Sequence, residues 1–138
     1  MRVVVLVSGR GSNLRALIDT VHGREVDIVG VASDRAGAPA LEIAADAGIP
    51  TAVFLRDDYE DRTARDLAIG DWALAHGAEL VVLAGYMALL TGEFVLRFPD
   101  RIVNVHPSLL PAFGGIRAIE QAIDHGVKVV GVTVHLVD

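Results

Sequence analysis

The sequence predicts a three-layer α/β fold built on a mostly parallel sheet. Three observations carry this. Val3–Val7 and Leu80–Ala84 are uninterrupted apolar runs, the composition of strands covered on both faces. Between and after these runs, apolar residues recur at helical spacing, so strands and helices alternate along the chain. The first run gives way to a Gly-rich turn, Ser8-Gly9-Arg10-Gly11-Ser12-Asn13, and then to a helical stripe at Leu14, Leu17, Ile18 and Val21.

Strand, Gly-rich turn and helix in succession leave free N–H groups at a helix N-terminus, where phosphate binds readily. Gly9 and Gly11 let the backbone approach an anion, and Ser12 or Asn13 is expected to cap the helix. The dinucleotide pattern G-x-G-x-x-G fails at its third glycine, where Leu14 stands. Asp34, after the apolar run Ile28–Ala32, keeps a nicotinamide reading open as a ribose-binding acid. A tight turn that binds nothing is the other alternative.

Pro39 suits the first turn of a second helix carrying Leu41, Ile43, Ala44 and Ala47, with Gly48 as its C-cap. Thr51–Leu55 reads as a third strand. Asp57 or Asp58 is expected to open a third helix with a buried stripe of Ala64, Leu67, Ala68, Trp72 and Ala75, ended by Gly77. Trp72 lies on that stripe, which makes it a core anchor rather than a ligand platform. Arg62 puts a cation in the first turn, where the helix dipole disfavours it, so it has either another task or a solvated surface place. Gly85–Leu90 is either a loop lining a pocket for a flat ring system or the buried start of a helix before Thr91.

Ile102-Val103 is a short apolar strand leading into Asn104-Val105-His106-Pro107-Ser108-Leu109-Leu110-Pro111. Pro107 biases His106 to an extended shape, so the strand should end there. Asn104 and His106 are two apart and share a face, at the edge where α/β sheets place chemistry. A polar pair that merely ends a strand is the alternative. Ala112–Gly115 reads as a flexible loop, and Ile116, Ile119 and Ile123 suit a helix ended by Gly126. Val127–Val137 reads as one long strand with Gly131 as a bulge, and His135 within it as structural.

The octet from Asn104 to Pro111 resembles the signature of enzymes that take a formyl group from 10-formyltetrahydrofolate. These are glycinamide ribonucleotide formyltransferase, formyltetrahydrofolate hydrolase and methionyl-tRNA formyltransferase. The N-terminal Ser-Gly-x-Gly-Ser-Asn-Leu stretch resembles the phosphate loop of the first, which implies ribonucleotide-phosphate binding at Gly11, Ser12 and Asn13. The resemblance covers essentially the whole chain and implies a Rossmann-like formyltransferase fold. Residues 1–138 would be a single N-terminal domain of that family, lacking its C-terminal segment. The implied reaction moves a formyl group from 10-formyltetrahydrofolate, a co-substrate, to the amino group of N1-(5-phospho-D-ribosyl)glycinamide in de novo purine (IMP) biosynthesis.

The same resemblance makes Asn104 and His106 the catalytic pair. It assigns the folate side to Arg62, Met87, Ala88, Leu89, Leu90 and Asn104, with the backbone of 87–90 reading the pterin edge. Ala88 stands where the family usually has a basic residue, a departure that bears on the folate's acidic tail. Gly114-Gly115-Ile116-Arg117 departs from the family's Pro-Gly and His, so no role is carried to that loop. In the family an Asp past the last strand tunes the catalytic His, and Asp138 falls short of that position. Two other readings stay open. One is a hydrolase-like enzyme, which usually carries a regulatory domain ahead of the first strand. The other is a non-catalytic fragment that binds a nucleotide phosphate.

Composition agrees with a cytoplasmic enzyme of small molecules. The chain has 138 residues, 52% of them hydrophobic, enough for one domain with one core. It has no cysteine, hence no disulfide framework or thiolate site, and no His/Asp cluster at ligand spacing, so no metal is expected. A net charge of −6 argues against a nucleic-acid partner. The first apolar run is too short for a membrane span, and no signal peptide precedes it. Among macromolecular partners only a homodimer is left open.

Overall fold

The computed structural model describes residues 1–106, 108–115, 117–129 and 131–137. Six strands form one sheet: β1 (Arg2–Val7), β2 (Asp27–Ser33), β3 (Thr51–Val53), β4 (Leu80–Leu83), β5 (Ile102–His106) and β6 (Thr133–Leu136). Their order is β3-β2-β1-β4-β5-β6, with every pair parallel except β5 with β6. Helices α1 (Ser12–Thr20), α2 (Pro39–Asp46), α3 (Arg62–Ala75), α4 (Gly92–Arg97) and α5 (Ala118–His125) fill the connections.

The two apolar runs that predict the sheet are neighbours in it, paired from Val3 with Leu80 to Leu6 with Leu83. Alternate residues of β1 feed two cores. Val3, Val5 and Val7 pack with Leu14, Ala40 and Ala44, while Val4 and Leu6 pack with Ile69, Ala73, Phe94 and Phe98. A strand with no polar face therefore sits between two helical layers, as its sequence requires.

Several boundaries differ from the sequence expectation, each for a local reason. Gly11, at φ 84°, is the N-cap of α1, and neither Ser12 nor Asn13 caps it. Both stand exposed in the first turn. β3 stops at Val53 because the chain turns into a 3₁₀ segment, Arg56–Asp58. That segment contains Asp57 and Asp58; α3 is opened instead by Asp61, whose carboxylate accepts the Ala64 N–H at 2.8 Å. The buried stripe of α3 is Arg65, Asp66, Ile69, Gly70 and Ala73, so Leu67 and Ala75 face out.

Polar contacts turn α3 away from its apolar pattern. Asp66 accepts from Thr91 N–H, and Arg97 of α4 reaches the Leu67 carbonyl and pairs with Asp71 at 2.6 Å. Gly70 leaves room for that guanidinium, since a Cβ there would lie 2.7 Å from Arg97 Nη1. Trp72 is the expected core anchor, laid over Gly30 and edge-on to Phe54.

Toward the C-terminus, α5 buries Ala118 and Ala122 and leaves Ile119 and Ile123 exposed, the reverse of the expected face. Small residues at i and i+4 let this helix seat closely. The last strand is only Thr133–Leu136 rather than Val127–Val137. Gly131 is no bulge: it lies against the Leu109 side chain, where a Cβ would collide. The expectations at Pro107, Ile116, Val130 and Asp138 fall outside the described residues.

Candidate active site

The sheet order reverses at β1. The chain runs outward from β1 through β2 to β3, then returns to β4 on the other side. Such a reversal opens a crevice at the carboxyl ends of the two strands, the position where parallel α/β sheets bind ligands. Here the crevice receives Ser8–Asn13 after β1 and Gly85–Leu90 after β4, with the end of β5 alongside.

The turn after β1 is shaped by packing as well as by φ. A Cβ on Gly11 would lie 2.7 Å from Ala40 Cβ and 2.9 Å from Ala40 Cα. The Gly9 carbonyl accepts from Ala40 N–H at 3.1 Å, while the space above Gly9 is open. The first helical bond of α1 runs from Arg15 N–H to the Gly11 carbonyl, so the N–H groups before it have no partner within the helix. With no acidic residue in that turn, the end presents uncompensated positive potential. Asp34 does not project as a ribose acid. Its carboxylate accepts the buried Ser8 hydroxyl at 2.6 Å, and the nicotinamide reading loses its key residue.

The segment after β4 is an open loop, not a helix start; α4 begins only at Gly92. The loop is held at both ends. Met87 N–H donates to Ser8 Oγ at 2.8 Å, and Thr91 N–H donates to Asp66 Oδ2 at 2.7 Å. Between these points Met87 and Leu89 are exposed, 57% and 74%, while Tyr86 and Leu90 turn inward. Two large exposed apolar side chains on a loop at the carboxyl end of β4 offer a surface for a flat ring.

Burial pushes the Tyr86 phenol up to about 12; the Asp34 and Asp66 carboxylates add to the shift and the Arg65 guanidinium opposes it. Its hydroxyl has no partner among the described residues. Folded-state ionisation is thus disfavoured relative to the unfolded chain. The resulting stability is whole below pH 10 and is lost as pH rises toward 12, by about 1–2 kcal/mol. Tyr86→Phe should flatten that alkaline decline in urea unfolding and remove the late-titrating tyrosinate absorbance. An unchanged decline would place its origin elsewhere.

β5 ends at His106, as its sequence predicts, with Asn104 and His106 half-buried on one face. The antiparallel register puts His135 opposite Asn104, and Asn104 Nδ2 lies 3.3 Å from His135 Nε2. His135 Nδ1 lies 3.1 Å from the Leu136 carbonyl oxygen, which only accepts. In the neutral ring Nδ1 therefore carries the proton, and Nε2 accepts from the Asn104 amide. His106 Nε2 lies 3.0 Å from the Phe113 carbonyl, which assigns that proton to Nε2 and leaves Nδ1 basic. The following loop is stapled by Thr133, whose hydroxyl donates to the Ser108 carbonyl at 2.6 Å and accepts from Leu110 N–H at 3.0 Å.

Two residues of this site escape sequence reasoning. His135 looks structural until the β5–β6 register sets it against Asn104, and Phe113 acts through a backbone carbonyl that carries no side-chain signal. Arg62 lies on another element, in the first turn of α3. It is exposed at the start of α3 and lines a cleft of about 530 Å³ in which Arg56 and Arg65 are accompanied by the carboxylates Asp57, Glu60 and Asp61. Among the described residues no group of three or more His, Cys, Asp or Glu could hold a metal, and no helix is long and apolar enough to cross a membrane.

The formyl transferase family model matches residues 1–138. The chain is 42% identical to phosphoribosylglycinamide formyltransferase of Haemophilus influenzae, over 99% of this chain and 66% of that protein. It is 46% identical to the protein of the same name from Mycobacterium tuberculosis, over 99% of this chain and 64% of that one. The crystal structure of glycinamide ribonucleotide transformylase 1 from Symbiobacterium toebii superposes with a TM-score of 0.96 at 46% identity, over all of this chain and 66% of that chain. The chain thus spans about two-thirds of the length of these relatives. A family match over the whole chain, with a fold that superposes on a solved member along this chain's full length, shows that the chain belongs to the formyl transferase family.

Proposed function

We propose that the chain transfers a formyl group from 10-formyltetrahydrofolate to the amino group of N1-(5-phospho-D-ribosyl)glycinamide, a step of de novo purine synthesis in the cytoplasm. Residues 1–138 act in it as a formyltransferase N-terminal domain. The observation that carries this reading is the adjacency of three segments at the carboxyl ends of β1, β4 and β5: Gly11–Asn13, Met87–Leu90 and Asn104–His106. A ribonucleotide phosphate fits the first, a pterin the second, and the reacting formyl group the third. The relatives' names supply the substrates.

The chemistry follows from the hydrogen bonds. As the amine attacks the formyl carbon, negative charge grows on the carbonyl oxygen, and the Asn104 amide can donate to it. His135 holds that amide in orientation through Nε2. His106, with Nε2–H donated to Phe113, keeps Nδ1 free to take the proton the amine must lose. Once charged, it can donate to the oxyanion and protonate the leaving nitrogen of the folate. Met87 and Leu89 cover the apolar ring, and Arg62, exposed at the start of α3, is assigned to the folate side. Calorimetric titration of glycinamide ribonucleotide and of tetrahydrofolate, followed by a formyl-transfer assay, tests this. Binding of both with formyl appearing on the glycinamide amine is expected. Release of formate at the same rate without the amine substrate would favour a hydrolase.

A further inference from the structure

We propose that Ser8, oriented by Asp34, is a positioning residue that ties the turn after β1 to the loop after β4, so that the two halves of the crevice move as one. Ser8 is 2% exposed and follows directly on β1, before Gly9. Its hydroxyl has one proton, and that proton goes to Asp34 Oδ1 at 2.6 Å. The oxygen lone pairs are then directed at Met87 N–H, 2.8 Å away and 79 residues further along the chain. A hydroxyl beside a carboxylate has no competing choice of donor direction, so the Met87 bond is set by Asp34.

The link has a rigid base on one side. The Gly9 carbonyl is bonded to Ala40 N–H, and Gly11 packs against Ala40 with no space for a side chain. On the other side, the loop has its far end fixed independently by Asp66 at Thr91. Only the Met87 end is therefore controlled from the turn. Met87 begins the exposed apolar stretch, so a shift of the turn is carried into the ring-binding surface. This makes Ser8 and Asp34 structural partners of both substrates without contact to the reacting atoms, and the ligand part of the inference rests on the function proposed above.

Amide hydrogen exchange on the ligand-free protein tests the link without reference to substrates. Ser8→Ala should speed exchange at Met87 about three- to tenfold while leaving Thr91 unchanged, because one hydrogen bond of ordinary net strength is lost at one end only. Ser8→Thr should restore protection. Asp34→Ala, at a half-buried site, should give a smaller effect of the same sign and serves if Ser8→Ala fails to fold. Equal exchange at Met87 in wild type and both variants overturns the proposal.

The second arm measures binding of glycinamide ribonucleotide with and without saturating tetrahydrofolate. In wild type each ligand should raise the other's affinity by about fivefold or more, and in Ser8→Ala that factor should approach one. Two ligands that bind wild type with no mutual effect overturn the coupling while the functional reading stands. If neither ligand binds yet Met87 exchange responds to Ser8→Ala, the functional reading fails and the positioning link is upheld.

Discussion

His106→Ala should lower single-turnover formyl transfer by about a hundredfold or more, with ribonucleotide affinity changed little. A general acid–base contributes about 10²–10⁴ in rate, and the imidazole whose Nε2 is held by Phe113 is the group with a basic nitrogen at the strand end. Asn104→Ala should cost about 10²–10³, the loss of one oxyanion donor. Asn104→Asp is the sharper variant, because it keeps the shape and removes the donor. The two residues act on one transition state, so the double variant should fall little below the poorer single one. If His106→Ala transfers formyl at the wild-type rate, the strand end is structural and the proposed mechanism is wrong. If Asn104→Asp retains full rate, the oxyanion is held by other donors.

Gly11→Val should both destabilise the chain and abolish ribonucleotide binding. The new Cβ would meet Ala40 Cβ at 2.7 Å and Ala40 Cα at 2.9 Å, contacts that force α1 and α2 apart. Valine must also hold a φ of 84°, which costs about 1–3 kcal/mol beyond the clash for a non-glycine residue. A loss of about 3–5 kcal/mol is expected from urea unfolding. Ser12→Ala and Asn13→Ala separate binding from folding. Both side chains are exposed and make no capping bond, so stability should stay within about 0.5 kcal/mol. Their loss should nevertheless weaken glycinamide ribonucleotide. If all three variants bind it as wild type does, the phosphate lies elsewhere.

The sequence alone determined the architecture, because the physics there is local and repetitive. Two apolar runs without a polar face demand cover on both sides, and β1 and β4 lie adjacent between two helical layers. The Gly-rich turn was legible because glycine is one of few residues that accept the left-handed conformation found at Gly11. The end of β5 at His106 was legible from the proline after it. The turn and the start of the octet lie at the carboxyl ends of parallel strands, where the alternation of strands and helices puts them.

Only the tertiary structure decided how those residues are held, because their partners are remote in sequence. Ser8 meets Met87 across 79 positions and Asp34 across 26, and no periodicity encodes such pairs. His135 acquires its partner from an antiparallel register that depends on where β6 begins, and that strand is far shorter than its β-branched run suggests. α3 turns its Arg65–Asp66 edge inward against its apolar pattern, because burying Asp66 satisfies the backbone N–H at the end of the loop after β4. Hydrophobic spacing sets which elements exist; buried polar bonds, each demanding one particular partner, set how the elements are rotated and where the site is tied together.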